Sequence, residues 1–443
     1  MSQLPSPNSL PAGPAGPMSS SLEPQPDRRQ FLKTTAALSA AAALGPLARA
    51  GGAYAAGTDT IRVGLIGCGG RGTGAAENCV RSSEGVTIVA MGDLFADRLA
   101  GSRTHLAGRL GEKFAVTDEH TFVGFDAVDK VCALPDVDLV ILTTPPVFRP
   151  LHLEKAIAAG KNVFMEKPVA VDPAGIRTVI AASREAKKKR LAIVSGTQRR
   201  HQQSYLETMQ RIHDGAIGEL TGGFCYWNQG GLWVHERQEH YTDVEWQLRN
   251  WLYFSWTSGD HIVEQHVHNL DVMNWAFGGP PVKAMGMGGR QVRTDEKYGN
   301  IYDHFAIEYE YEGGHRVVSQ CRQIDGCAGR VGEHLVGTEG TSDPNRWISG
   351  AQKWRFEGDE RNPYEQEHAD LIASIRANEP LNEGERIAES TLTAIMGRMS
   401  AYTGKLVTWD FALGSTLDIT PTDWSFADHR VDGVAVPGRT PLV

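Results

Sequence analysis

Ile61-Arg62-Val63-Gly64-Leu65-Ile66-Gly67-Cys68-Gly69-Gly70-Arg71-Gly72 is the stretch that decides the fold of this chain. Its first six residues form a short apolar run bounded by glycine, the pattern of a buried strand. Gly67-x-Gly69-x-x-Gly72 follows at once, and residues 75–82 have the composition of a helix opened by that loop. Gly67 permits a tight turn, Gly69 lets backbone approach a pyrophosphate, and Gly72 lets helix and strand pack closely. Gly70 and Arg71 complete the loop, and the helix start offers free N–H groups and a positive dipole end to phosphate. A second apolar run, residues 86–91, ends at Gly92-Asp93. A carboxylate there suits a hydrogen bond to the adenosine ribose hydroxyl and repels a 2′-phosphate, so NAD is expected over NADP. Arg98, an arginine able to accommodate that phosphate, keeps NADP as second choice.

The alternation continues outward from the loop. Residues 138–142, 162–165 and 192–194 have the pattern of strands, and residues 96–110, 152–159 and 172–188 that of helices. Strands alternating with helices predict an α/β fold with a doubly wound parallel sheet. Ligands of such sheets sit at the carboxyl ends of the strands, where Gly67, Asp93, Thr144-Pro145 and Glu166-Lys167-Pro168 all fall.

With 443 residues, 41% of them apolar, the chain can bury a large core in two or three domains. Residues 3–26 are rich in proline, serine and glycine, a composition expected to be disordered. Asp27-Arg28-Arg29-Gln30-Phe31-Leu32-Lys33 and an alanine-rich run to Ala48 come next, with small-x-small sites at Ala48-Arg49-Ala50 and Ala53-Tyr54-Ala55. Residues 1–56 thus resemble a twin-arginine export signal, with Asp27 in place of the usual Ser or Thr. The protein is expected in the periplasm or otherwise exported by that route, with no stable membrane insertion. Residues 1–56 hold four basic and two acidic side chains, so the formal charge of −9 becomes about −11 once they are removed. That acidity argues against nucleic acid or anionic lipid as partner. The six cysteines include no CxxC pair and fit small buried hydrophobes.

Thr144-Pro145-Pro146, then Ala156-Ile157-x-x-Gly160-Lys161-Asn162-Val163-x-x-Glu166-Lys167-Pro168, resembles the Gfo/Idh/MocA oxidoreductases from Ile61 to about Leu413. The resemblance implies a Rossmann domain over 58–198 and a second α/β domain over 199–420, leaving a tail over 421–443. The second domain would be built on a large open, mostly antiparallel sheet. Residues 220–227, 282–288, 303–311, 316–321 and 330–337 fit its strands. It also implies a homodimer or homotetramer. In the family the lysine of the Glu-Lys-Pro motif works near the nicotinamide with an Asp-x-x-x-His pair. Here Lys167 is that lysine, Glu264 replaces the aspartate, His268 is the histidine, and Asp271 adds an acid three residues on. Positions i, i+4 and i+7 share a helix face, so the three are expected in one cleft with Lys167, and Glu166 beside the cofactor. His266 stands where the family often has glycine. Glu264, His266 and His268 share a face only on a strand, while the segment has the pattern of a helix start, so no metal is assigned to them or to His261.

Trp227, Trp233, Trp246, Trp251 and Trp256 cluster within thirty residues, and flat aromatic faces match the C–H face of a sugar ring. Trp246, Trp251, Arg199, Arg249 and His266 are the expected substrate contacts, although at least two of the tryptophans belong to core or oligomer contacts. The expected activity is NAD(P)-dependent oxidation of a sugar or cyclitol hydroxyl. Free NAD is scarce outside the cytoplasm, so the cofactor is expected to stay bound and be regenerated within each cycle. A glycosidase or lyase working by transient oxidation and elimination is the alternative. A non-catalytic sugar-binding protein is the third, against which Lys167, Glu264 and His268 argue.

Overall fold

The computed structural model describes residues 60–427, 429 and 431–443, so the expected export signal lies outside the described residues. Two sheets organise the rest. The first holds six parallel strands: β1 Ile61–Ile66, β2 Val86–Asp93, β3 Thr121–Val123, β4 Leu139–Leu142, β5 Asn162–Met165 and β6 Ile193–Ser195. Their spatial order is β3-β2-β1-β4-β5-β6, the doubly wound arrangement. β1, β2, β4 and β5 are almost wholly buried, as expected of strands covered on both faces by helices. Chain order reverses between β1 and β4, which opens a crevice at their carboxyl ends.

Elements with apolar periodicity lie close to where the sequence puts them. The exceptions have physical reasons. β3 and the helix Ala127–Ala133 are too short to show a period, and β3 is half exposed. The helix after the glycine loop starts at Gly70, five residues before its first apolar face, because a first turn of Gly-Arg-Gly carries no hydrophobic signal.

The second sheet has nine strands in the order β14-β13-β12-β11-β7-β10-β9-β8-β15. They are β7 Leu220–Gln229, β8 Lys283–Gly289, β9 His304–Glu310, β10 Arg316–Gln323, β11 Arg330–Gly337, β12 Gly340–Asp343, β13 Trp347–Gly350, β14 Trp354–Arg355 and β15 Val407–Thr408. The sheet is antiparallel apart from the β7–β10 pair. Burial alternates along β8, β9 and β10, so one face packs inward, against the helices Val267–Phe277 and Gly384–Thr403. The chain then returns to the first sheet: Leu371, Ile372 and Ile375 of helix Pro363–Arg376 share a core cluster with Val63, Leu65 and Phe164. The dinucleotide half is therefore completed by a helix from the far end of the sequence.

Candidate active site

The glycine loop lines a crevice of about 820 Å³, a size that fits an organic ligand. Gly67 has φ +98°, and a Cβ there would lie 2.6 Å from the Thr144 nitrogen. A Cβ on Gly72 would lie 1.9 Å from the Gly67 oxygen, so helix and loop touch backbone to backbone. Around Gly69 the nearest atom to such a Cβ is Arg98 Nη1 at 3.5 Å, and around Gly70 nothing lies within 4 Å. That open side, at the start of a thirteen-residue helix with no side-chain cap, is where free N–H groups would meet phosphates. Asp93 is buried in the same wall, where its Oδ2 accepts from Cys68 N at 2.5 Å and its Oδ1 from Phe95 N at 2.7 Å. Burial raises its pKa against those two N–H groups. Asp93 thus also closes the glycine loop, a task the sequence does not reveal. Arg98, Thr144 and Pro145 line the crevice too.

Arg149 and His152 went unrecognised in the sequence. Arg149 is only 1% exposed; its Nε donates to the Glu166 carbonyl at 2.9 Å and its Nη2 to the Thr144 carbonyl at 2.7 Å. It ties together the carboxyl ends of β4 and β5, and burial lowers its pKa to about 10. A signal was present: a cation in the first turn of the helix Arg149–Ala158 opposes the helix dipole, so something else must hold it there. His152 faces Thr144 Oγ1 at 3.2 Å from the crevice wall. Glu166 accepts from Arg71 Nε at 2.5 Å, and Arg71 Nη2 also reaches Glu367 Oε1 at 3.3 Å. Two expected cofactor residues are therefore each other's partners, with Arg71 still in the crevice wall.

Lys167 follows at the end of β5. Its Nζ donates to the Glu264 carbonyl at 2.7 Å and lies 3.3 Å from Glu264 Oε1, with both side chains nearly buried. His268 is buried beside them and stacks on Trp227 at 5.8 Å between centroids. Burial, then the charges of Lys167 and Arg199, holds its pKa well below 6.5, so the ring is neutral. These three side chains lie outside the wall of the crevice itself, one strand beyond Thr144.

The expected continuous helix face is not formed. The helix His261–Glu264 ends at Gln265 and a second begins at Val267, so the i, i+4, i+7 geometry is broken. Asp271, whose charge still acts on His268, is engaged by other side chains, an anchoring role that the expected proton-transfer assignment did not include. Its Oδ2 accepts from Arg200 Nε at 2.8 Å, and its Oδ1 from Arg386 Nη1 at 3.0 Å and Ser390 Oγ at 2.8 Å. Burial alone would raise its pKa, but the two arginines lower it to about 2.

The expected substrate contacts also divide. His266 turns into the second sheet, with Nε2 2.7 Å from Ser319 Oγ, and burial lowers its pKa to about 3; it is a core histidine. Trp246 is core as well, edge-on to Phe254 at 5.6 Å. Arg199 remains near His268, its guanidinium paired with Glu333 and 5.7 Å from the Trp227 ring. Arg249 and Trp251 lie on the wall of the dinucleotide crevice instead. His261 packs near Phe305, Glu264 faces Lys167 and His266 faces Ser319, so these three diverge. Among the described residues no group of three His, Cys, Asp or Glu is placed to hold a metal.

Comparison with known proteins places these features. Residues 61–194 match the NAD-binding Rossmann fold of the Gfo/Idh/MocA oxidoreductase family, and residues 205–342 match the C-terminal domain of that family. Residues 25–45 match the signal sequence of the twin-arginine translocation pathway. An inositol 2-dehydrogenase of Klebsiella pneumoniae is 30% identical over 222 residues, 49% of this chain and 54% of that protein. Inositol 2-dehydrogenase 3 of Saccharopolyspora erythraea is 29% identical over 258 residues, 58% of this chain and 65% of that protein. The alignments thus span between about half and two thirds of these relatives. Among solved structures, aldose-aldose oxidoreductase of Caulobacter crescentus superposes with TM-score 0.63 at 17% identity, covering 79% of this chain and 99% of that one. Scyllo-inositol dehydrogenase of Lactobacillus casei, with NAD(H) and scyllo-inositol bound, superposes with TM-score 0.61 at 18% identity, over 79% and 99% of the two chains.

Proposed function

The chain belongs to the Gfo/Idh/MocA oxidoreductases, and from that premise we propose that it oxidises a CH–OH group of a sugar or cyclitol with a tightly held NAD. The observation that carries this is the meeting of Lys167 Nζ, Glu264 and neutral His268 at the end of β5, one strand from the glycine-loop crevice.

The residues present fit a dinucleotide. Gly69 and Gly70 leave the open approach that a pyrophosphate needs, and Asp93 offers a carboxylate to a ribose hydroxyl. That carboxylate favours NAD, with Arg98 in the same wall keeping NADP second. When bound, the nicotinamide supplies a two-electron acceptor and donor. The chain supplies the rest. Lys167 holds its ammonium where it can hydrogen-bond the substrate oxygen and stabilise the charge that develops as the hydroxyl proton leaves. Glu264 offsets that ammonium, and neutral His268 is free to accept the proton. Trp227, stacked on His268 and flanked by Arg199, offers an apolar face to a sugar ring.

The inositol dehydrogenases among the relatives favour a polyol substrate. The twin-arginine signal favours export of the folded enzyme with its cofactor already inside, to the periplasm in a Gram-negative cell. A cofactor that cannot be replaced must end each turnover as it began. Coupled oxidation of one sugar and reduction of another has that property. So has the second reading, transient oxidation of a glycoside followed by elimination, water addition and re-reduction. A homodimer or tetramer through the outer face of the second sheet, where Phe224, Met285 and Met287 are exposed, accompanies both.

The test is to offer purified, NAD-loaded enzyme a panel of monosaccharides and cyclitols while following the absorbance of bound nicotinamide. One class of polyol is expected to shift it. Lys167→Ala is expected to lower the rate of that shift by roughly 10²–10⁴-fold while NAD stays bound. A panel with no response, or an unaffected Lys167→Ala, overturns the reading.

A further inference from the structure

The crevice of the glycine loop has two walls from separate stretches of the chain. The inner wall is the carboxyl edge of the first sheet. The outer wall comes from the stretch after β7, through Trp233, His235, Tyr241, Arg249 and Trp251. We propose that residues 230–251 form a strap that keeps the dinucleotide resident, and that Arg249 and Asp97 are its latch.

Residues 230–238 and 241–242 of this stretch adopt neither helix nor strand, yet it is anchored at both ends. Gly231 N donates to Asp325 Oδ1 at 2.8 Å, and Tyr253 OH donates to the Trp233 carbonyl at 2.8 Å. Asn250, fully buried, accepts from His235 N at 2.7 Å and donates to His235 O at 2.6 Å. Residues 236–240 between these anchors are exposed, apart from what they contribute to the crevice. Val244, Trp246 and Leu248 of the strap share a core cluster with Phe95, Val147 and Phe148 of the dinucleotide half, and an ion pair lies beside that apolar contact. Arg249 Nη1 and Nη2 each reach one oxygen of Asp97 at 3.0 Å, in the first turn of the helix Ala96–Leu110. The same guanidinium lies 4.0 Å over the Phe95 ring and 4.8 Å over the Tyr241 ring, while Arg98 donates to the Arg249 carbonyl at 3.5 Å. Phe95 lies in the crevice wall, so the latch closes directly over the ligand space. From the other side Phe426 packs on Phe95 and Phe125, at 6.1 and 5.0 Å, and Trp424 packs on Phe148 at 4.7 Å.

A surface ion pair on its own contributes little. This one is bidentate and stacked between aromatic rings, so its rupture has a larger cost and still lies within reach of thermal opening. Exchange of the dinucleotide requires that opening, which makes release slow without making the pocket permanently shut. The proposal rests on the cofactor-holding function above and assigns the holding to specific residues.

The experiment loads the purified enzyme with NADH and measures release by its fluorescence after a chase with excess NAD. Arg249→Ala is expected to release NADH roughly 10-fold faster, and Asp97→Asn about 3-fold faster. The double variant is expected to match Arg249→Ala alone, because both changes break one contact. Asp97 is two-thirds exposed, so its variant tests the latch even where Arg249→Ala compromises folding. Parent-like release from both variants overturns the strap and leaves the proposed function standing. A parent that never retains NADH overturns the proposed function itself.

Discussion

Glu264 and Asp271 are acids on one short segment, and their surroundings give them opposite uses. Glu264 meets Lys167, the residue proposed above to stabilise the developing charge. Asp271 meets Arg200 and Arg386, which come from 71 and 115 positions away in sequence. Its carboxyl, lowered to about 2, contributes stability that is present above its ordinary value of 3.8 and lost as pH falls toward 2. Asp271→Asn leaves Arg200 without its counter-ion and Arg386 with Glu383 alone, at a cost of roughly 3 kcal/mol, the low end for a broken buried pair. A clear fall in melting temperature is therefore expected from Asp271→Asn, whereas Glu264→Gln is expected to fold like the parent and lose turnover. An Asp271→Asn enzyme with parent-like melting and no activity would return Asp271 to the catalytic group. The spacing of the acids was legible in the sequence; which of them would be neutralised was not, because the neutralising partners are remote.

At the scale of the element, the glycine loop separates two demands that a motif merges. Gly72 is set by packing, since its Cβ would overlap the Gly67 carbonyl. Gly69 has no such conflict, so its smallness serves a ligand. Gly72→Ala is expected to destabilise the fold by about 1–3 kcal/mol, visible in thermal melts. Gly69→Ala is expected to melt with the parent and weaken NADH binding about 10-fold in a fluorescence titration. Equal melts for both variants would refute the division. The loop, β1 and the helices with apolar periodicity were readable because local pattern dictates them. The break at Gln265 was not. It leaves the apolar pattern intact while dividing the segment into two helices, with Glu264 on the first and His268 and Asp271 on the second.

At the scale of the whole molecule, His201 joins the end of the first sheet to the returning helices. Its Nδ1 lies 2.6 Å from Asp370 Oδ2 and its Nε2 3.5 Å from Glu383 Oε1. Burial alone would lower its pKa, but the two carboxylates raise it to about 9. A raised histidine contributes stability that is complete below its unfolded value of 6.5 and is lost as pH climbs through 9. That shift is worth about 3 kcal/mol. Urea unfolding of the parent is expected to weaken by that order between pH 6.5 and 9.5, and His201→Gln to abolish most of the slope. An unchanged slope in His201→Gln would show that other groups carry it. The amino-acid sequence by itself determined the dinucleotide loop, the alternating elements, the export signal and the Glu166-Lys167-Pro168 corner, because each is written in neighbouring residues through backbone demand or periodicity. Only the tertiary structure decided that Arg249 and Trp251 wall the dinucleotide crevice, that Trp246 and His266 are core, and that Asp271 is an anchor. Those outcomes depend on which distant segments fold back onto one another, and no local pattern encodes that.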